Sequence, residues 1–311
     1  MTGLLTVVIP SADPRFLRQT VDDLFRNAAG PLQVIVSADG YDPQLPPRPG
    51  LTVLVHERLG MRGALNAARA HVAGEWYMKT DEHCLFSPGF DEQLKADCDQ
   101  NWVMIPRRYS LDADNWCIED NPKGPRDQHY LSCPVWSIRE KSDYSMHGLE
   151  WPERTRQLLR SPGALTEDSI QPTMSWQGSC YFMSRRHYDW LGPLEEKNWG
   201  SFAAEPQVVG LMTQLGGGQL MVNKRAYYAH LHKGRKYGRG YRPNKTEISA
   251  GHEFNAWYWM TGQWGGAVRS LESLVAEFWP VPGWPADILG NWGKYAPTGA
   301  TLEQLKAAAR G

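Results

Sequence analysis

The chain has 311 residues, 41% hydrophobic and 22% charged, enough for a sizeable core in one large domain or one domain with an appendage. A net charge of -1 and an isoelectric point near 6.8 exclude a whole-surface affinity for nucleic acid or anionic membrane. No apolar run reaches membrane-spanning length, the apolar start lacks a basic leader, and five cysteines (Cys84, Cys98, Cys117, Cys133, Cys180) form no C-x-x-C pair, so a reduced, cytoplasmic setting is expected.

Leu4–Ile9 is a near-continuous apolar, β-branched run, the pattern of a strand buried on both faces of a parallel sheet. Pro10-Ser11-Ala12-Asp13-Pro14 breaks it. Phe16–Asn27 then places Phe16, Leu17, Val21, Leu24 and Phe25 at helical spacing, and Gly30-Pro31 ends that helix. Leu32–Val36 is a second buried strand, so the start reads as a β-α-β unit with a right-handed crossover. Asp39 stands at its carboxyl end, where open α/β sheets bind ligands. A third strand (Leu51–His56), an Ala-rich helix (Ala64–Val72) and a fourth strand ending near Thr80 complete a nucleotide-binding half-sheet. There is no G-x-G-x-x-G and no G-x-x-x-x-G-K-[ST], so neither a dinucleotide nor a P-loop site is expected.

The fourth strand delivers Asp81-Glu82-His83. At a frayed strand end, residues two apart point to one side, so a carboxylate and an imidazole can share an ion. That donor pair suits manganese better than magnesium, which prefers oxygen ligands throughout. An isolated D-x-H is more commonly a surface pair; its position at the end of a nucleotide-binding half-sheet favours the metal.

Further on, Trp102–Pro106 is a strand, and the polar stretch to about residue 170 is expected to form long loops over the acceptor side. Cys180–Met183 and Leu220–Val222 are strands, and Val208–Leu215 is a helix ended by Gly216-Gly217-Gly218. From Lys224 to Lys245 there are eight Lys/Arg and no acid, so the segment carries +8 and the remainder about -9. Such a run is usually a solvated loop. Beyond it, Glu247–Gly262 and Glu272–Phe278 read as helices of a Trp-rich appendage over 246–311, behind a catalytic region over 1–245.

The runs Thr6–Ser11 and Val34–Gly40 and the Asp81-Glu82-His83 triplet recur in this order and at similar spacing in family 2-like glycosyltransferases of the GT-A fold, which the chain resembles from residue 4 to about residue 240. Asp81-Glu82-His83-Cys84 and Arg58-Leu59-Gly60-Met61 look most like the polypeptide N-acetylgalactosaminyltransferases. Ala38 departs from the pattern, since most relatives carry an acid there.

The resemblance implies an α/β, GT-A fold with a mostly parallel central sheet flanked by helices. It implies a UDP-sugar or similar donor, Mn2+ or another divalent cation, and a hydroxyl acceptor. His230 matches the third metal ligand beside Asp81 and His83. Pro10, Ser11 and Asp39 would hold the nucleoside, and Gly178 would lie in a small-residue turn beneath the donor sugar, with Trp176 able to stack on it or pack in the core. Placed at the ligand candidate His230, the Lys224–Lys245 run reads better as a lid over a diphosphate than as a solvated loop; Arg62 and that lid, with Lys233 and Arg235, would contact phosphate. Glu205, in a region similar to W-G-G-E-N, would deprotonate the acceptor if the reaction inverts; a retaining reaction needs no such base. The acceptor is open, with hydroxymethylated bases of viral DNA one candidate because Tyr227, Tyr228, Tyr237 and Tyr241 interleave the basic run. A nucleotidyltransferase would want more carboxylates; a non-catalytic carbohydrate- or nucleic-acid-binding protein would leave the D-x-H unexplained.

Overall fold

Seven consecutive buried residues make β1 (Leu5–Ser11) the axis of the sheet. The structure, a computed structural model, describes residues 3–120, 124–134, 144–160, 170–232, 234–238, 240 and 244–310. β1, β2 (Leu32–Asp39), β3 (Leu51–His56) and β4 (Trp76–Thr80) are all parallel and lie side by side as β3-β2-β1-β4. A 3-10 turn at Pro14–Phe16, capped by Asp13, leads into α1 (Leu17–Asn27), which buries Leu17, Val21 and Leu24 in one cluster with β1 and β2. α2 (Gly60–Ala68) packs on β1 and β2 and continues into a 3-10 turn at Arg69–His71.

The second half of the sheet is mixed. It is built from β5 (Cys84–Phe86), α3 (Phe90–Asp97), β6 (Trp102–Asp112), the short β7 (Cys117–Ile118), a separate ribbon of β8 (His129–Leu131) and β9 (Gly148–Glu150), α4 (Pro152–Arg160), β10 (Ile170–Pro172), β11 (Cys180–Ser184), α5 (Arg185–Leu191), α6 (Glu205–Leu215) and β12 (Gln219–His230). β11 lies antiparallel between β4 and β6, while β12 is parallel to β6 and antiparallel to β5 and β10. The sheet is therefore parallel throughout only over β1–β4, and mixed beyond them. All five residues of β11 are buried, which demands cover on both faces although its direction is reversed.

One boundary differs from expectation. The pieces read at Leu220–Val222 and from Tyr227 onward are a single strand, β12, with a bulge between Asn223 and Tyr227. Lys224 and Arg225 thus belong to the sheet and not to a lid: Lys224 is buried and Arg225 pairs with Asp97 on α3.

After α7 (Gly234–Tyr237) come α8 (Lys245–Met260), α9 (Leu271–Glu277), α10 (Trp292–Tyr295) and α11 (Leu302–Arg310). Ala256, Trp259 and Met260 of α8 join one buried cluster with Trp199, Ala203, Val208 and Leu211, and with Leu274, Phe278, Trp284 and Ile288 behind them. Gly251 makes this close approach possible, since a Cβ there would lie 2.2 Å from the Trp199 carbonyl oxygen. The Trp-rich C-terminal helices are packed on the rest of the fold through a shared core. Among the described residues no helix is long and apolar enough to cross a membrane.

Candidate functional site

The carboxyl ends of β1, β2 and β4 open on a cleft of about 880 Å³, where parallel sheets place their ligands. Pro10, Ser11, Asp39, Gly178 and Glu205 line it, together with Asp81, His83 and His230. Register explains the convergence. Asp81 and His83 sit in the turn from β4 to β5, and β12 pairs His230 directly with Cys84 of β5.

That pairing sets His230 opposite His83, with their Nε2 atoms 3.0 Å apart. Asp81 Oδ2 lies 3.2 Å from His230 Nε2 and 4.0 Å from His83 Nε2. One donor atom from each of the three falls within 4.8 Å of the others. Ligand atoms about 2.1 Å from an ion and at right angles to each other lie about 3.0 Å apart, so this spacing fits a single first-row divalent cation. Two imidazoles and one carboxylate also fit a manganese-class ion by donor type.

Electrostatics keeps the carboxylate ready. Lys79, two residues back on β4, donates to Asp81 Oδ1 at 2.7 Å and to the Gly178 carbonyl at 2.8 Å. Burial disfavours the charged form of Asp81, but Lys79 and the two imidazoles outweigh it and hold its pKa far below the usual carboxylate range. Burial opposes the Lys79 charge too, and Asp81 and Glu205 more than restore it. Burial pushes His230 down, against the pull of Asp81, which favours the neutral imidazole a metal requires.

Glu205 begins α6 just after Ala204, whose φ of 55° lies in the left-handed region. It is 1% exposed, and its Oε1 has no hydrogen-bond partner among the described residues. Burial raises its carboxyl pKa, with Lys79 and the Tyr181 hydroxyl pulling the other way. Gly178 holds a φ of +92°, and a Cβ there would meet Pro206 at 2.9 Å, so the turn lies flat on the start of α6. Asp39 lines the cleft while accepting the Leu59 N–H and, at 3.1 Å, the Gly60 N–H. Its carboxylate thus anchors the entry to α2.

Several expectations need correction. Arg62 is fully buried, and its guanidinium donates to the carbonyls of Ala203 at 3.0 Å and Glu195 at 2.9 Å, so it braces the loop before α6 instead of facing phosphate. The arginine that lines the cleft, beside Lys79, is the exposed Arg58, four residues earlier. Trp176, which the sequence leaves open to stacking or packing, is 2% exposed, packs edge-to-face on Tyr181 at 5.7 Å, and belongs to the core. Of the basic segment, Lys233 and Tyr241 lie outside the described residues, as does the Arg235 side chain. Lys236 pairs with Asp114, and Arg15 holds the carbonyls of Tyr237 and Gly238. Tyr228 is buried, Tyr227 packs on Tyr109 and Tyr237 on Phe16, so these rings form no open stacking platform.

Sequence reasoning also missed residues that the fold brings in. Lys79 was visible as the one charge within an otherwise uncharged strand. His147, and Asn244, Glu247 and His252 from the α8 region, also line the cleft, with the two imidazole rings 4.4 Å apart. No local pattern marks these.

No family model matches the sequence, and no curated protein does. Solved structures do match the fold. The crystal structure of GalNAc-T7 with UDP, GalNAc and Mn2+ superposes with a TM-score of 0.61 at 12% identity, over 94% of this chain and 55% of that one. S. aureus TarS 1–349 in complex with UDP-GlcNAc does so with a TM-score of 0.51 at 13% identity, over 88% of this chain and 71% of that one. Both are GT-A glycosyltransferases, and the present chain has the GT-A fold; it spans little more than half the length of GalNAc-T7.

Proposed function

We propose that this chain is a metal-dependent glycosyltransferase that moves a sugar from a nucleoside diphosphate sugar, a UDP-sugar, to a hydroxyl acceptor. The observation that carries this reading is the convergence of Asp81, His83 and His230 at the carboxyl end of a GT-A sheet, inside a cleft large enough for a nucleotide sugar.

Asp81, His83 and His230 would hold the cation, which would supply charge neutralisation for a diphosphate leaving group. The Lys79 ammonium keeps Asp81 ionised and ties the metal side of the cleft to the Gly178 turn. Pro10 and Ser11 border the nucleoside end, with Asp39 fixing the adjoining loop. Arg58 gives the cleft its cationic contact to phosphate. Glu205, buried with one unpartnered oxygen, accepts a hydrogen bond from a sugar hydroxyl, and a carboxyl of raised pKa in that position suits a proton acceptor.

His147 and the α8 side chains that line the same cleft are the groups this reading offers to the acceptor. A small sugar, glycan or protein hydroxyl fits this cleft better than a hydroxymethylated DNA base, because the tyrosines of the basic segment are packed away from it. Free thiols at Cys84, Cys98, Cys117 and Cys180 support a reducing, cytoplasmic compartment.

Incubation with a panel of nucleotide sugars and Mn2+, measuring free nucleoside diphosphate, tests the activity; release from one donor is expected. Silence across the panel, with sugar or nucleic acid still bound, would leave the non-catalytic reading in its place. Labelled sugar offered to glycans, peptides, and modified and unmodified DNA then identifies the acceptor.

A further inference from the structure

Beside the metal triad, and outside the residues assigned above, two arginines converge on one imidazole. Arg108 lies on β6, and the Arg126 backbone N–H bonds to its carbonyl at 2.9 Å. Both guanidinium groups point at His232 Nε2, with Arg126 Nη1 2.8 Å from it; Arg108 Nη1 also reaches His129 Nε2 at 3.5 Å. His232 lines the cleft, its ring 5.2 Å from that of His230.

Charge is not balanced here. The neighbouring Arg107 is matched by Asp127 through bonds of 2.8 to 3.2 Å. Arg108 and Arg126 face one carboxylate among the described residues, Glu150, at 3.7 and 3.0 Å, and its side chain is 44% exposed. Arg108 itself is 2% exposed, and its Nε has no partner among the described residues. A guanidinium keeps its proton at any working pH, so burying one without a matched anion is costly. One imidazole lone pair cannot satisfy two guanidinium donors, whereas a phosphoryl group offers three oxygens and takes arginine in bidentate fashion.

We propose that Arg108 and Arg126 form a phosphate subsite on the metal side of the cleft, in which a phosphoryl oxygen takes the place held by His232 Nε2. The phosphate comes from the nucleotide donor or from a phosphorylated acceptor, and the two-arginine chemistry is the same for both. The subsite stands independently of the transferase reading, because it needs neither metal nor sugar.

The test titrates inorganic phosphate into the full chain in excess chelator, followed by phosphorus NMR line broadening. Saturable binding is expected. It should weaken about tenfold in Arg126→Gln, which removes a charge-assisted bond at a partly exposed position. Glu150→Gln, an exposed change that removes the competing carboxylate, should tighten it. No saturable binding in either the wild type or Glu150→Gln, or unchanged binding in a folded Arg126→Gln, overturns the proposal. Adding UDP and Mn2+ separates the sources. Displaced phosphate assigns the subsite to the donor, and phosphate retained beside UDP assigns it to the acceptor. A chain that binds phosphate but transfers no sugar would refute the transferase and leave the subsite standing.

Discussion

His83 and His230 are 147 positions apart in the chain, yet their Nε2 atoms meet at 3.0 Å beside the Asp81 carboxylate. Two buried imidazole nitrogens this close share one proton or one ion. Asp81→Asn or His230→Ala should lower Mn2+ affinity by more than about 100-fold, exceeding the loss seen when only an outer support is removed. Calorimetric titration with Mn2+ reads this directly, and wild-type affinity in either variant would refute the assignment.

Arg58 and Arg62 are four residues apart and should behave oppositely. Arg58→Ala, at an exposed position lining the cleft, is expected to raise the donor KM about tenfold with little change in stability. Arg62→Met strands the Ala203 and Glu195 carbonyls and should cost roughly 3 kcal/mol of folding stability. Urea denaturation and donor kinetics on both variants check the pair; the reverse pattern would restore Arg62 to the phosphate.

Trp176 separates packing from sugar stacking. A Cβ at Gly210 would lie 2.6 Å from its ring, which shows how closely α6 is seated on it. Trp176→Ala should cost about 3–5 kcal/mol as a core truncation. Donor KM, measured on the folded fraction, should stay within about twofold, since an altered core leaves the cleft contacts in place.

His187 supplies a pH dependence of stability through a residue outside the Asp81, His83 and His230 cluster. It is buried on α5, bonded to Thr213 Oγ1 at 2.8 Å, and burial pushes its pKa down to about 4. The unfolded value is higher, near 6.5, so its contribution to stability is complete above about pH 6.5 and is lost as pH falls toward 4. Between pH 7 and 4.5 this amounts to about 2–3 kcal/mol. His187→Gln, which keeps a hydrogen bond and cannot charge, should lose less stability than wild type over that interval. His129, pushed down to about 3 by burial and the nearby arginines, acts in the same direction in both proteins, so the difference isolates His187. Parallel urea midpoints for the two proteins would remove this role.

What the sequence determined by itself was local. The apolar runs of β1 and β2, the helix between them, and the Asp81-Glu82-His83 turn are set by hydrophobic periodicity and chain direction, and each is legible within about a dozen residues. The tertiary structure decided what needs two distant segments. The register of β12 on β5 brings His230 to His83, and the same strand withdraws Lys224 and Arg225 from the basic segment. The loop before α6 swallows Arg62 instead of Arg58, and α8 carries His252 to the cleft wall. A cation reads alike in the sequence whether it faces phosphate or a backbone carbonyl. Which of these it meets depends on the packing of elements far apart in the chain, and burial decides whether its charge serves the fold or the ligand.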